Sequence, residues 1–194
     1  LSPWLLRETA QLSSLGLSKA CIEMLLLRAL QNLFTIGFIF LCFGPLAALA
    51  SRLCIEMHYT WNVKQTSFQP FGTSIALIVN IIQWLPSRIF ALILLFSCIG
   101  QNFILFLRLS RPYLFQLNNS YLLNVFALSL EVKLGGVAMY QSTKLRKAPY
   151  NNHSRQPQAT DIIHASKRIS QVYYFCFLFL ALLTLITYSL NLTG

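Results

Sequence analysis

The chain has 194 residues, of which 56% are hydrophobic and only 10% are charged. A soluble domain carries roughly 25% charged residues, so this composition argues against a soluble globular protein and against intrinsic disorder. The net charge of +10 comes from 15 Lys and Arg residues against 5 acids. Because the cations stand between apolar runs, they indicate membrane topology and contacts with anionic lipid headgroups rather than nucleic-acid binding.

The opening segment, residues 1–28, is amphipathic. Leucine and isoleucine recur in it at helical spacing, with charged residues such as Arg7 and Glu23 between them. We therefore predict amphipathic helices on the cytoplasmic side of a membrane. The segment starts at Leu1 and lacks the pattern of a secretory signal peptide, so we expect the protein to extend further upstream.

Two apolar regions follow. The charge-free run 29–51 is long enough to cross about 30 Å of hydrocarbon, and Gly44-Pro45 inside it predicts a kink. Residues 72–107 predict either one long bent membrane helix or two shorter helices meeting at Pro86. A guanidinium in the bilayer is costly unless it is paired or at the surface. Arg88 therefore marks either a point where the chain surfaces or a polar site.

The remaining segments complete the predicted topology. Residues 112–140 are moderately apolar and predict a helix packed against protein, whereas 171–190 predict a last membrane helix. The basic stretch 141–168 between them is predicted to be a cytoplasmic loop, since Lys and Arg accumulate on that side. The sequence thus predicts an all-α, polytopic integral membrane protein. It would form a single domain over 1–194 with three to five apolar helices, in a bacterial inner (cytoplasmic) membrane.

Signatures of soluble enzymes are missing from the sequence. It has no phosphate-binding glycine loop, no GxSxG motif and no His cluster at metal-ligand spacing, so we predict no metal site from these residue types. Glu23 is the acid of most interest because it closely precedes the first apolar run. It is either a helix-surface acid offsetting Lys19 four residues earlier or a catalytic carboxylate.

Four short stretches match a known pattern in order and spacing. They are Arg7-Glu8-Thr9 with Ala20-Cys21-Ile22-Glu23; Gly44-Pro45 with Ala47 to Ala50; Phe71-Gly72 with Leu85-Pro86-Ser87-Arg88; and Leu134-Gly135-Gly136 with Tyr140, followed by Lys147-x-Pro149 and Asp161-Ile162. Together they resemble the CobD or CbiB family of membrane proteins of cobalamin biosynthesis, which also includes the AmpE proteins.

The resemblance implies an ATP-dependent synthesis that joins aminopropanol, or its phosphate, to a propionate of adenosylcobyric acid. It implies ATP and magnesium as cofactors if the chain is active, and no cofactor otherwise. Glu23 becomes the candidate catalytic residue. The candidate substrate-binding residues are Arg7, Arg88, Tyr140 and Lys147. The candidate architectural residues are Gly44, Pro45, Gly72, Pro86, Gly135 and Gly136, because glycine allows close approach or positive φ and proline interrupts a helix.

The chain departs from the family pattern at its carboxylates. Where the family has an A-E-N-x-x-D-G block, this chain has Leu26, Leu27 and Arg28, then Gln31 and Asn32. Where the family has an R-L-D-D run, the chain reads Leu-Ile-Val-Asn over 77–80. Apolar side chains cannot replace carboxylates as magnesium ligands. The sequence therefore leaves open whether the chain is an enzyme.

Three hypotheses follow. The first is a CobD/CbiB-type protein of corrinoid assembly, with membrane lipids and a corrinoid substrate as partners. The second is a non-catalytic AmpE-like accessory or sensor protein linked to cell-wall recycling. A transporter or channel is the weakest, because the apolar runs contain no series of intramembrane acids. A homo-oligomer or other membrane subunits stay open, and no nucleic-acid partner is expected.

Overall fold

The computed structural model describes residues 14–61, 69–97, 118–140, 143–146 and 149–193. Over these residues the chain is mainly helical, with one β-hairpin and with turns and isolated β-bridges over 130–136 and 149–158. The elements in chain order are α1 (Ser14–Arg28), a π-helical stretch (Ala29–Phe34), α2 (Thr35–Phe43), α3 (Pro45–Thr60), α4 (Gln69–Ile82), α5 (Trp84–Ser97), α6 (Asn118–Ser129), β1 (Val137–Tyr140), β2 (Thr143–Arg146) and α7 (Ala159–Thr193).

The first long helix runs without interruption from Ser14 to Phe43. It passes through the π-helical stretch, where the backbone N–H of Thr35 donates to the carbonyl of Leu30, five residues earlier. Thirty residues of helix span about 45 Å, more than a hydrocarbon core. The structure therefore has no helix boundary between residues 28 and 29, and the placement of 1–28 on the cytoplasmic side and of 29–51 in the membrane stays a prediction.

Gly44 ends this helix, so the predicted kink is a full break. Its φ of 84° and ψ of −177° lie in a region that is essentially open to glycine alone. Pro45 is the first residue of α3, where the missing backbone N–H costs no helical bond. Helix α3 then packs back against α2 and also contacts α4.

Helices α4 and α5 meet at Gln83 with a bend of 50°. Pro86 explains the position of the bend. Its ring nitrogen cannot donate to the carbonyl of Ile82, four residues earlier, and the ring clashes with that carbonyl. The predicted break is thus confirmed, but it lies three residues before Pro86, and Pro86 itself sits in the first turn of α5.

The region after α6 differs most from the prediction. Helix α6 ends at Ser129, not near residue 140, and the chain then turns through positive φ at Glu131, Gly135 and Gly136. Strands β1 and β2 pair antiparallel, with Val137 opposite Arg146. Helix α7 begins at Ala159, so it includes the last ten residues of the predicted loop 141–168 and the whole predicted helix 171–190.

The buried core lies at one end of the helices. Side chains of α1, α5, α6 and the first part of α7 pack into it together with the turn after α6. Its fully buried members include Ile22, Leu26, Phe90, Leu122 and Phe126. Beyond Tyr173, by contrast, α7 exposes a long series of large apolar side chains.

Two helices, Ser14–Phe43 and Ala159–Asn191, are long and apolar enough to cross a membrane. The bent pair Phe71–Ile82 and Trp84–Phe96 would add a third span if it counts as one. These assignments rest on length and composition. They agree with the lower end of the predicted range of three to five apolar helices only if the bent pair is included.

Candidate functional site

Glu23 lies against the glycine pair that follows α6. Its side chain is 5% exposed, and Oε1 accepts a hydrogen bond from the backbone N–H of Gly135 at 3.1 Å. Gly135 and Gly136 have φ of 74° and 103°, values that residues other than glycine rarely adopt. The fold therefore joins two of the stretches singled out in the sequence, although they are 112 residues apart.

The glycine turn is held in place by backbone pairing. Leu134 exchanges two hydrogen bonds with Tyr150, at 3.2 and 2.9 Å, and the N–H of Lys133 donates to the carbonyl of Arg155. The amide of Asn151 donates to the carbonyl of Ala127 at the end of α6. These hydrogen bonds therefore hold the turn that faces Glu23 in a fixed position within the fold.

Arg155 and Asp161 connect this region to α7. The guanidinium donates two hydrogen bonds to the carboxylate, at 2.8 and 2.6 Å, and the N–H of Gln158 donates to the same group. The bond to Asp161 raises the pKa of Arg155 above its ordinary value. Asp161 is 2% exposed and stands in the first turn of α7, where a negative charge is favourable. Asp161 was noted in the sequence, but nothing there predicted Arg155 as its partner.

Arg88 belongs to a polar network at the start of α5. Its Nη1 donates to Ser87 Oγ at 2.8 Å, to the carbonyl of Trp84 at 3.3 Å, and to Asn118 Oδ1. Asn118 in turn donates to the carbonyl of Asn80 at 2.6 Å. The guanidinium carbon also lies 5.4 Å from the ring centre of Tyr121 on α6. Burial raises the pKa of Tyr121, and the nearby Arg88 opposes this by a smaller amount.

This arrangement resolves how the chain accommodates Arg88. The residue is 8% exposed, and it links α5 to the first residue of α6 across the bend. Arg88 thus faces polar groups, as one of the two alternatives from the sequence predicts, and whether the chain also surfaces there stays a prediction. A substrate contact of Arg88 stays a prediction.

A second polar network, not predicted from the sequence, lies on the other side of the same bend. Tyr59 at the end of α3 donates its hydroxyl to Gln31 Oε1, and Gln31 Nε2 donates to Gln83 Oε1 at 3.4 Å. The guanidinium of Arg28 stacks on the ring of Tyr59 at 3.8 Å. Burial raises the pKa of Tyr59, against the lowering by Arg28, so the hydroxyl stays protonated and acts as a donor. The sequence feature that could have revealed this network is the polar pair Gln31-Asn32 inside the apolar run 29–51.

An apolar groove of about 740 Å³ runs between the first helix, α5 and α7. Its lining includes Phe34, Phe38, Ile93, Tyr173 and Phe179. Two of the lining residues contact Phe90, whose ring centre lies 5.0 Å from that of Phe34 and 6.4 Å from that of Tyr173. Most of its lining is apolar, and Cys42, Cys176 and Tyr173 are also among the lining residues.

The other predicted residues are spread over the fold. Gly44 and Pro45 form the break between α2 and α3, and Gly72 is buried in α4. Tyr140 lies in β1, where only the backbone is described. Arg7 and Lys147 lie outside the described residues.

The sequence was also compared with known proteins. The family profile described as CobD/Cbib protein matches residues 1–169. The chain belongs to the CobD/CbiB family. No solved structure matches it.

Curated relatives of this CobD/CbiB chain share a name. The chain is 26% identical over 159 residues to a cobalamin biosynthesis protein CobD of Stutzerimonas stutzeri, covering 82% of the chain and 52% of the relative. It is 27% identical to proteins of that name from Chromobacterium violaceum, covering 74% of the chain and 46% of the relative, and from Leptospira interrogans, covering 97% and 59%. The chain thus spans about half the length of the curated relatives it matches.

Magnesium, which the family resemblance implies, does not fit the side chains that the structure brings together. Among the described residues no group of three or more His, Cys, Asp or Glu could hold a metal ion. At the bend, Gln31 stands where the family pattern has an acid, its amide is paired with that of Gln83, and the Arg28 cation is close by. A hard divalent cation prefers carboxylate oxygens, so these amides and the Arg28 cation do not form a magnesium site.

Proposed function

We propose that the chain is a membrane protein of cobalamin biosynthesis and serves the step that attaches aminopropanol, or its phosphate, to adenosylcobyric acid. The single observation that carries this proposal is the hydrogen bond between Glu23 and Gly135. It brings together two stretches that carry the family resemblance and holds a buried carboxylate against a backbone donor. Family membership supports the pathway, and the paired stretches support a preserved site.

In this proposal the site lies at the polar end of the helices. The basic residues between 141 and 168 and the start of α7 would face the cytoplasm of a bacterial inner membrane. The apolar parts of the first helix and of α7 would cross the bilayer. A corrinoid carries propionate-derived groups, so cationic side chains at this end are suited to its recognition.

Within the described residues, Glu23 would accept a proton or orient the attacking amine. Its acceptor role toward the backbone N–H of Gly135 fixes the orientation of the carboxylate. We propose that Arg88 has a structural role, because its bonds to Ser87, Trp84 and Asn118 hold the bend between α4 and α5 in place. Catalysis without the family's other carboxylates would require acids from another segment or subunit.

Complementation tests the proposal. The full-length gene should restore corrinoid production in a bacterial strain that cannot attach the aminopropanol arm, and purified protein in detergent should bind cobyric acid. An empty vector and a gene with Glu23→Ala are the matched controls. Absence of both rescue and binding would remove the proposal.

A second candidate function is a non-catalytic, AmpE-like accessory role on the same scaffold. The amide pair of Gln31 and Gln83 favours it, because an amide stands where the family pattern carries an acid. Genes next to this one would discriminate cheaply, since corrinoid genes favour the first function and a cell-wall amidase gene favours the second. ATP turnover that depends on cobyric acid would exclude the second.

A further inference from the structure

Two lysines flank the contact between Glu23 and Gly135. Lys19 lies one helical turn before Glu23 on α1, and residues four apart share one face of a helix. Lys133 lies two residues before Gly135, whose backbone N–H donates to Glu23. Both lysines are half-buried. We call Lys19 and Lys133 the lysine pair.

The fold holds both members of the lysine pair in place. The backbone N–H of Lys133 donates to the carbonyl of Arg155 at 2.9 Å, and the next residue, Leu134, exchanges two hydrogen bonds with Tyr150. Lys19 belongs to α1, which packs along α7. The two lysines therefore stay close together in the native state, although they come from distant parts of the chain.

The charges of the lysine pair are not balanced by the groups around it. Lys133 repels Lys19 more strongly than Glu23 attracts it. Within the part of the chain that the structure describes, neither ammonium group makes an ion pair or a hydrogen bond. Two cations that are close together and partly removed from water repel each other more than they would in solution. A bound anion would relieve this repulsion.

The neighbouring charged residues leave this excess of positive charge in place. Arg155 and Asp161 form an ion pair of their own at 2.6 Å. Glu131, in the same turn as Lys133, is exposed and acts on Arg155. Of the described carboxylates, Glu23 is the one whose charge acts on Lys19, so the pair amounts to two cations against one acid.

A phosphate group matches two ammonium groups better than a single carboxylate does. It carries about −1.5 to −2 charges and three strong acceptor oxygens, whereas a carboxylate has one charge and two oxygens. Lysine is also a common phosphate-binding residue, because its ammonium acts as a point charge. The lysine pair is therefore suited to a phosphate-class oxyanion.

The lysine pair lies at the charged end of the helices. Tyr173 on α7 contacts Ala29, and residues that follow each of them line one groove, so the two helices run in the same direction. Lys19 precedes Ala29 by ten residues, about 15 Å along the helix. Arg168, the last charged residue, precedes Tyr173 by five residues, about 7.5 Å. Lys19 is thus further from the apolar half than Arg168, where lipid headgroups and soluble anions both have access.

We propose that Lys19 and Lys133 bind a phosphate-class oxyanion beside the contact between Glu23 and Gly135. Each ammonium group would donate a charge-assisted hydrogen bond to the ligand. Its source is either a phospholipid headgroup or a soluble phosphate-bearing molecule. The proposal does not depend on corrinoid chemistry, because phosphate binding is measured without a corrinoid, so its failure and the failure of the proposed function are separate results.

The test uses the full-length protein in lipid nanodiscs. Inorganic phosphate is titrated into nanodiscs of phosphatidylcholine alone, and in a second arm the nanodiscs carry increasing phosphatidylglycerol. Ionic strength is held constant with chloride, so that screening does not change. Binding is followed with radiolabelled phosphate and by the rise in Tm that a ligand of the native state produces. A response to soluble phosphate assigns a soluble ligand, and a response to phosphatidylglycerol alone assigns a lipid headgroup.

Substitutions in the lysine pair locate the response. Lys19→Gln and Lys133→Gln should each weaken it about tenfold, since a hydrogen bond to a charged ligand is lost. Lys19→Arg keeps the charge and should retain binding. Without phosphate, Lys19→Gln should not lower Tm, because it removes the repulsion from Lys133. Its loss of binding is then separate from a loss of fold.

The matched control is Lys167→Gln on α7. Lys167 is exposed at the same charged end of the molecule. Among the described residues, the charges that act on Lys19 are those of Lys133 and Glu23, and Lys167 is not one of them. Lys167→Gln should therefore bind phosphate or phosphatidylglycerol as the wild type does.

Two outcomes would overturn the proposal. One is a wild-type protein that responds to neither phosphate nor phosphatidylglycerol. The other is an equal loss of response in Lys167→Gln and in the two lysine-pair variants, which would indicate general charge attraction instead of a site.

Discussion

The hydroxyl of Tyr173 donates a hydrogen bond to the backbone carbonyl of Ala29 at 2.8 Å, across 144 residues of sequence. The bond ties α7 to the first residue of the π-helical stretch. In a π-helix each N–H reaches back five residues instead of four, so the carbonyls near its ends change partners. Tyr173 therefore stabilises the stretch that carries Gln31.

Replacing this tyrosine with phenylalanine should lower stability. Tyr173→Phe keeps the ring contact with Phe90 and removes one partly buried hydrogen bond, which costs about 1 kcal/mol. Thermal unfolding in detergent measures the change. The neighbouring Tyr174 is 75% exposed, so Tyr174→Phe is the matched control and should leave Tm unchanged. Equal effects of the two variants would contradict this role.

The break between α2 and α3 should depend on the backbone of Gly44. A Cβ at Gly44 or at Gly37 would meet no atom within 4 Å, but only Gly44 has positive φ. Gly44→Ala should therefore cost about 1–3 kcal/mol through backbone strain. Gly37→Ala should be neutral or stabilising by about 1 kcal/mol, because alanine favours a helix interior. Comparing the two unfolding curves checks the assignment, and a destabilised Gly37→Ala with an unchanged Gly44→Ala would refute it.

Substituting Asn118, in the network at the start of α5, should destabilise the protein more than is usual for an uncharged side chain. Asn118→Leu leaves the buried Arg88 short of an acceptor, at a cost of about 3 kcal/mol. Asn118→Asp keeps the acceptor for Arg88 but loses the donor to the Asn80 carbonyl, so it should be destabilised less than Asn118→Leu. Arg52→Met, at an exposed ion pair on α3, should change stability by less than about 0.5 kcal/mol. Urea unfolding of all three variants gives the comparison. A harmless Asn118→Leu would mean that the bonds from Arg88 to Ser87 and Trp84 are sufficient without Asn118.

Two substitutions, Glu23→Gln and Glu23→Ala, can separate the structural role of Glu23 from its role in chemistry. Glu23→Gln keeps an oxygen that can accept from Gly135, whereas Glu23→Ala loses it and should cost about 1–3 kcal/mol. If the carboxylate takes part in chemistry, both variants should fail to restore corrinoid production, although only Glu23→Ala is destabilised. Glu56→Gln, at an exposed carboxylate, is the control and should restore it. Full rescue by Glu23→Gln would reduce Glu23 to a structural residue.

Some errors in the predicted topology have a clear physical origin. Hydrophobic runs mark where a chain avoids water, but they do not mark where a helix starts. Helix α1 therefore continues into the apolar run that follows it. Helix α7 begins earlier than predicted, at Ala159, where Asp161 and Arg155 fix its first turn. The predicted helix 112–140 could not be recognised as ending at Ser129, because the positive φ of Glu131 is set by the packed turn.

Sequence by itself determined the class of this protein. Its apolar runs, its cations between them, the proline that bends α4 against α5, and the four stretches that place it in the CobD/CbiB family are all local features. Tertiary structure alone decided which polar groups meet. Glu23 faces Gly135, Arg88 finds Asn118, and Arg28, Gln31, Tyr59 and Gln83 converge at one bend. These contacts join residues that are far apart in the chain. Which residues meet therefore depends on how the helices pack, and no single segment of the sequence determines this packing.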